Sequence, residues 1–76
     1  MPNTFGEKLK KLRESNVKLQ QDMALLLDIS IRQYQRYEKG EQEPNIDTLI
    51  KIADFYNVSL DYLVGRTDNP DSHKNN

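Results

Sequence analysis

Two segments with a helical apolar period, Gln20 to Leu27 and Ile31 to Lys39, are separated only by Asp28, Ile29 and Ser30. Three residues are too few for a crossover, so the two helices must turn sharply and share one core. No run in the chain alternates apolar and polar residues as a half-buried strand does. Helices alone must therefore enclose that core. With 76 residues and 36% hydrophobic side chains the core is a single small one, since chains of this size bury only about 60% of their unfolded surface.

Capping and stop signals divide the chain into five helices. Thr4 and Glu7 have capping-box spacing, and Phe5, Leu9 and Leu12 then share one face of the first helix, which should stop near Ser15 and Asn16, the asparagine tolerating a left-handed turn. The second helix carries Met23, Ala24 and Leu27 and stops at Asp28. Ser30 caps the third, Tyr34 and Tyr37 lie one turn apart on it, and Gly40 is placed for a left-handed end. Glu41 to Pro44 is a loop because the residue before proline leaves helical geometry. Asn45 caps a fourth helix with an apolar stripe of Ile46, Leu49, Ile52, Ala53 and Tyr56, and Asn57 stops it. Ser59 starts a short fifth helix that buries Leu60, Leu63 and Val64 and ends at Gly65. The fold class expected is all-α, a compact five-helix orthogonal bundle, with residues 1–65 as the domain and 66–76 as a polar, mobile tail.

Composition closes off several functions. The chain has no cysteine, so disulfides, zinc–thiolate sites and thiol catalysis are absent together, and a reducing cytoplasm suits it. No run approaches the ~18 to 20 apolar residues of a membrane span, and the N-terminus has no apolar signal segment. His73 has no second His and no Cys, so no metal site is expected, nor any cofactor. The carboxylates lie among lysines as surface pairs rather than as a buried catalytic dyad, and no enzyme activity is expected. The net charge of −1 conceals an asymmetry: residues 1–40 carry +3 and residues 41–76 carry −4. A basic half suits a polyanion. Tyr34, Tyr37, Tyr56 and Tyr62 follow core registers and read as core-edge aromatics, not stacking platforms. One of Leu25 and Leu26 should be exposed, because one helix face cannot bury both.

The spacing of the second and third helices is a helix-turn-helix pattern. Ala24 is small where the two helices cross, Ile29 plugs the turn, and Tyr34 with Tyr37 anchors the third helix. The opposite face is free and carries Arg32, Gln33, Gln35 and Arg36. These side chains suit base edges, Arg pairing bidentately with guanine and Gln with adenine.

The chain resembles the Cro and phage-repressor (Xre-type) helix-turn-helix transcriptional regulators over about residues 4–65. The likeness rests on FGEKLKKLR at 5–13, QQDMALLLDIS at 20–30, YEKGEQEPNIDTLIKIADFYNVSLDYLVG at 37–65, and Arg13 paired with Glu38. It implies a lambda-repressor-like DNA-binding domain that inserts the third helix, Ile31 to Lys39, into the major groove. Ile31, Arg32, Gln33 and Arg36 match base-reading positions, with Arg36 able to reach a base or a phosphate. Gln20, Gln35, Lys39 and the Gly40 backbone are assigned to the DNA backbone. Arg13 and Glu38 match an ion pair that joins the first helix to the end of the third. The implied partner is double-stranded DNA carrying an inverted repeat. The resemblance also implies a homodimer, formed alone or only on DNA; in so short a bundle the expected contact lies around helix five and its flanks, at Tyr62, Val64 and Arg66.

Two departures from the family pattern carry expectations of their own. Val17, Lys18 and Leu19 stand where the family has a flexible position, Leu and a Ser or Thr cap. Leu19 cannot cap, so Lys18 or a backbone arrangement should serve the first N–H groups of the second helix, with weaker or differently aimed phosphate binding at Gln20. Glu41 and Glu43 replace basic residues, which implies a loop displaced from DNA or a modest affinity. The implied function is a sequence-specific regulator of prophage or host genes, a repressor. The alternative, favoured by the near-zero net charge and the acidic loop, is a protein-interaction module on the same bundle, a toxin-neutralising or anti-repressor partner.

Overall fold

The computed structural model describes residues 4–65 and Pro70. The chain folds into α1 (Thr4–Ser15), α2 (Gln20–Leu27), α3 (Ile31–Lys39), α4 (Ile46–Tyr56) and α5 (Leu60–Leu63), and no strand occurs among the described residues. The Thr4 side chain, and with it the Thr4–Glu7 capping box, lies outside the described residues. So do Arg66, His73 and the expected mobile tail, Pro70 excepted. The Pro70 carbonyl accepts a hydrogen bond from the Ser59 N–H at 2.9 Å, beside the start of α5.

Each helix contributes one of the largest fully buried side chains: Leu9, Met23, Tyr34, Ile52 and Leu63. A core to which all five short helices contribute is why none of them can be removed without opening it. α3 packs against both α1 and α2, α4 packs on α2, and α5 joins α4 to α1. Ala24 and Ala53 are buried at close approaches, and Phe5, Leu12, Ile29, Leu49 and Leu60 pack partly buried around the centre. The Tyr56 hydroxyl donates to the Met23 sulfur at 3.2 Å, which gives a half-buried phenol a partner inside an apolar core. Burial pushes the Tyr56 phenol up to about 12.

The apolar stripe of α4 is narrower than its periodicity suggests. Ile46 is 56% exposed, because the core-facing positions are Leu49, Ile52, Ala53 and Tyr56 and Ile46 falls off their line at the open first turn. Leu25 is the exposed member of the leucine pair and Leu26 is half-buried. α5 is one turn long and stops at Leu63; Val64 is only half-buried, and the left-handed Gly65 (φ 86°) lies beyond it.

Four helices end in one geometry. A residue in the left-handed region follows the last turn, and the next N–H returns to a carbonyl five residues back: Lys18 to Arg13, Ile29 to Ala24, Glu41 to Arg36 and Val58 to Ala53, at 2.9–3.0 Å. The left-handed residues are Val17, Asp28, Gly40 and Asn57, with φ of 55°, 58°, 77° and 56°. Three of these stops match their sequence signals. The first does not, since the left-handed residue is Val17 and not Asn16. Asn16 continues the last turn, its side-chain N–H donating to the Leu12 carbonyl at 2.7 Å, and the turn is completed one residue later at a β-branched position.

The start of α2 takes the backbone alternative, the Leu19 carbonyl accepting from the Asp22 N–H at 3.0 Å. Leu19 occupies the N-cap and makes no side-chain cap bond. Asp22, one turn on, accepts from the Leu19 N–H at 2.8 Å. Lys18 does not cap; its carbonyl accepts from Arg13 Nη1 at 3.0 Å, which ties the α1–α2 turn to α1.

Candidate nucleic-acid interface

α3 acquires its two faces from a nine-residue sequence with anchors and polar residues in helical register. Ser30 Oγ accepts from the Gln33 N–H at 3.0 Å and fixes the first turn. Tyr34 and Tyr37 are buried and meet edge to face with ring centroids 6.4 Å apart. These anchors leave Ile31, Arg32, Arg36 and Lys39 exposed and Gln33 and Gln35 half-buried. Arg32, Gln35, Arg36 and Lys39 line a shallow depression of about 350 Å³ together with Glu41. Three cations against one carboxylate leave it electropositive. Glu41 lies at the edge of this depression, and its N–H donates to the Arg36 carbonyl at 2.9 Å in the turn that Gly40 closes.

Behind that face a carboxylate organises three helices. Glu38 Oε2 accepts from Arg13 Nε at 2.6 Å and from the Tyr34 hydroxyl at 2.6 Å. Glu38 Oε1 accepts from Arg13 Nη2 at 3.2 Å and from Gln20 Nε2 at 3.1 Å. Gln35 Nε2 in turn donates to Gln20 Oε1 at 3.1 Å. The Arg13 and Glu38 side chains are only 11% and 5% exposed, so this pair is shielded from solvent and salt as a surface pair is not. Burial alone would raise the Glu38 carboxyl, but the bonds from Arg13, Tyr34 and Gln20 outweigh it and hold the group below its ordinary value. The same bond to Glu38 raises Arg13, and burial followed by the Glu38 bond raises the Tyr34 phenol.

The residues singled out in the sequence thus fall into two connected sets. Ile31, Arg32 and Arg36 stand free on the outer face. Gln33 lies at its edge, its Nε2–H donating to the Tyr37 hydroxyl at 3.1 Å and leaving the carbonyl oxygen and the second N–H open. Gln20, Gln35, Arg13 and Glu38 form the chain behind it, and Lys39 and Gly40 close its end. Tyr34 was legible as an anchor but not as a donor to Glu38. The spacing was visible: 34 to 38 and 33 to 37 are both i, i+4 pairs. Among the described residues no group of three His, Cys, Asp or Glu side chains converges as a metal site, and no helix is long and apolar enough to cross a membrane.

Comparison with known proteins agrees with this geometry. Residues 9–63 match the helix-turn-helix family model. The SPbeta prophage-derived HTH-type transcriptional regulator YonR of Bacillus subtilis is 44% identical over 63 residues, covering 83% of this chain and 58% of that protein. The cryptic phage CTXphi transcriptional repressor RstR of Vibrio cholerae is 42% identical over 60 residues, covering 79% and 54%. The chain thus spans little more than half the length of these relatives. A transcriptional regulator from Listeria innocua has a similar crystal structure, with a TM-score of 0.82 and 31% identity over 88% of this chain and 63% of that one. An all-helical bundle with a three-residue turn between α2 and α3, matched over most of its length, places this chain in the helix-turn-helix family, to which it belongs.

Proposed function

We propose that the chain is a sequence-specific double-stranded DNA-binding regulator, acting as a repressor of prophage or host genes in the cytoplasm and without enzymatic activity. The observation that carries this reading is the outer face of α3. Arg32, Arg36 and Lys39 are held outward by two buried tyrosines, a Ser cap and a glycine stop, and none of these cations is needed by the core. A helix of this width fits the major groove, where Arg32, Gln33 and Arg36 meet base edges and Ile31 offers an apolar contact to a thymine methyl. Gln20, Gln35, Lys39 and the Gly40 backbone then lie toward the phosphates. YonR and RstR are named as a transcriptional regulator and a repressor, which supports the same assignment here.

Binding as a homodimer, alone or assembled on DNA, would place two α3 helices ~34 to 36 Å apart on an inverted repeat. Tyr62 and Val64 are half-buried and leave apolar surface at the α5 end for that contact; Arg66 lies outside the described residues.

The decisive experiment is selection of bound duplexes from a random library at ~150 mM salt, with Arg32→Ala/Gln33→Ala beside the wild type. An inverted repeat enriched by the wild type and lost by the double variant is the expected outcome. No enrichment by folded wild-type protein overturns the reading and turns the search to a protein partner. Gln33→Ala should relax discrimination at one base position, whereas Gln20→Ala should weaken all sequences alike.

A further inference from the structure

As a core anchor Tyr37 needs its ring and not its hydroxyl. The residue is 4% exposed and its ring meets Tyr34 edge to face, yet its oxygen accepts a hydrogen bond from Gln33 Nε2 at 3.1 Å. That contact follows from helix geometry, because a helical side chain leans toward the N-terminus and covers the position four residues before its own. The hydroxyl is a fixed point. Tyr34 packs against the ring and is itself tied to Glu38 through its own hydroxyl at 2.6 Å, so the Tyr37 oxygen cannot swing away from α3 without opening the core.

Gln33 is thereby held at both ends. Its N–H donates to Ser30 Oγ at 3.0 Å, and its side-chain amide is bound through one of the two Nε2 protons. What the bond to Tyr37 decides is polarity. A free primary amide turns over about its last single bond and offers a donor or an acceptor to whichever base atom faces it. With one Nε2 proton on a fixed oxygen, the groups left are the second N–H and the carbonyl oxygen, in one order. A donor beside an acceptor matches the N7 acceptor and N6–H donor of adenine. Guanine shows two acceptors, N7 and O6, one of which would face the amide oxygen and repel it.

We infer that the Tyr37 hydroxyl is a specificity-determining group: by fixing the Gln33 amide it makes that residue select adenine over guanine, without itself touching DNA. The inference rests on the DNA-binding reading and on Gln33 as a base reader. Tyr37 is a positioning residue that acts through Gln33 alone. Its effect must therefore be confined to one base position and vanish when the amide is gone.

The test is the ratio of duplex affinities for adenine and guanine at the base position that Gln33→Ala identifies. It is read by fluorescence anisotropy for wild type, Gln33→Ala, Tyr37→Phe and the double variant. A ratio taken on one preparation is indifferent to the fraction folded, and Tyr37→Phe keeps the packed ring. Wild type should favour adenine by about 5- to 150-fold. Tyr37→Phe should cut that preference about fivefold, the equivalent of one hydrogen bond, leave the other base positions unchanged, and add nothing to Gln33→Ala. A loss in Tyr37→Phe that is equal for all sequences makes the residue an anchor only and overturns the inference while the DNA reading stands. So does a wild-type preference for guanine at that position, or a Gln33→Ala protein that changes no base position. Wild type that binds no duplex removes both. A second measurement needs no variant: in nitrogen-15 relaxation of the free wild type, the Gln33 side-chain amide should have an order parameter of ~0.85, as rigid backbone does, and the amide of exposed Gln21 one below ~0.6. A Gln33 amide as mobile as that of Gln21 overturns the inference.

Discussion

The turn before α2 and the turn before α3 follow nearly the same backbone with different residues. Each leaves a helix through a left-handed residue, returns an N–H to a carbonyl five positions back, and enters the next helix from an extended N-cap. The second turn is built from side chains that favour this path. Asp28 tolerates positive φ, and the Ser30 hydroxyl serves the Gln33 N–H. The first uses Val17, β-branched and 89% exposed at φ 55°, and Leu19, which has no acceptor and is 66% exposed. Val17 and Leu19 are unfavourable locally, so the first turn must be held from outside. It is held by Arg13, which binds the Lys18 carbonyl as well as Glu38, and by Asp22, which closes onto the Leu19 N–H. A turn can thus be specified by its own residues or by tertiary bonds around it.

The sharpest way to break that contrast is Arg13→Ala. It should cost about 3 kcal/mol in urea denaturation, because it strands a shielded carboxylate and frees the α1–α2 turn together. Val17→Gly tests the opposite sign. Relief of a β-branched residue from the left-handed region should stabilise by about 1 kcal/mol, while Gly40→Ala, at the equivalent position after α3, should destabilise by a similar amount. The caps give a matched pair of slightly smaller effects. Ser30→Ala should lose about 1 kcal/mol, and Leu19→Ser should gain about 0.5 kcal/mol by supplying the acceptor that α2 lacks. If Leu19→Ser is neutral or harmful, the Leu19 carbonyl, which accepts from the Asp22 N–H at 3.0 Å, already serves that turn.

The pH dependence addresses the tertiary clamp. The Glu38 carboxyl is held below its ordinary 4.5, so the unfolded chain takes up its proton first and stability should fall as pH drops below that value. The Tyr56 phenol is raised from 10.0 to about 12, so the unfolded chain releases its proton first and stability should fall again as pH rises from 10 toward 12. Urea midpoints measured across pH should show both limbs, with the acid limb reduced in Glu38→Gln and the alkaline limb reduced in Tyr56→Phe.

Legibility in the sequence follows the same division. α2, α3 and α4 begin and end where Asp28, Ser30, Gly40, Asn45 and Asn57 indicate, because those residues act on their own backbone within a few positions. α1 ends at Ser15 as expected, but its left-handed residue was misplaced by one, from Asn16 to Val17, since what holds that turn is a guanidinium whose partner lies 25 residues away. Ile46 was assigned to the core by period alone, and a first-turn position with nothing packed over it obeys the period without being covered. On the α3 face the free cations were readable from spacing. The Gln35–Gln20–Glu38 chain was not, because it joins residues 15 to 18 positions apart and exists only once the three helices have met.

On the proposed DNA-binding function, in which α3 is the reading helix, that chain also bears on the timing of recognition. Arg13 from α1, Gln20 from α2 and Tyr34 from α3 converge on the two oxygens of one carboxylate, so the reading helix is already aligned with its neighbours in the free protein. The ordering entropy is then spent during folding and not at encounter. Association should behave as docking of two preformed surfaces, with a modest heat-capacity change and a rate governed by diffusion and charge rather than by slow rearrangement.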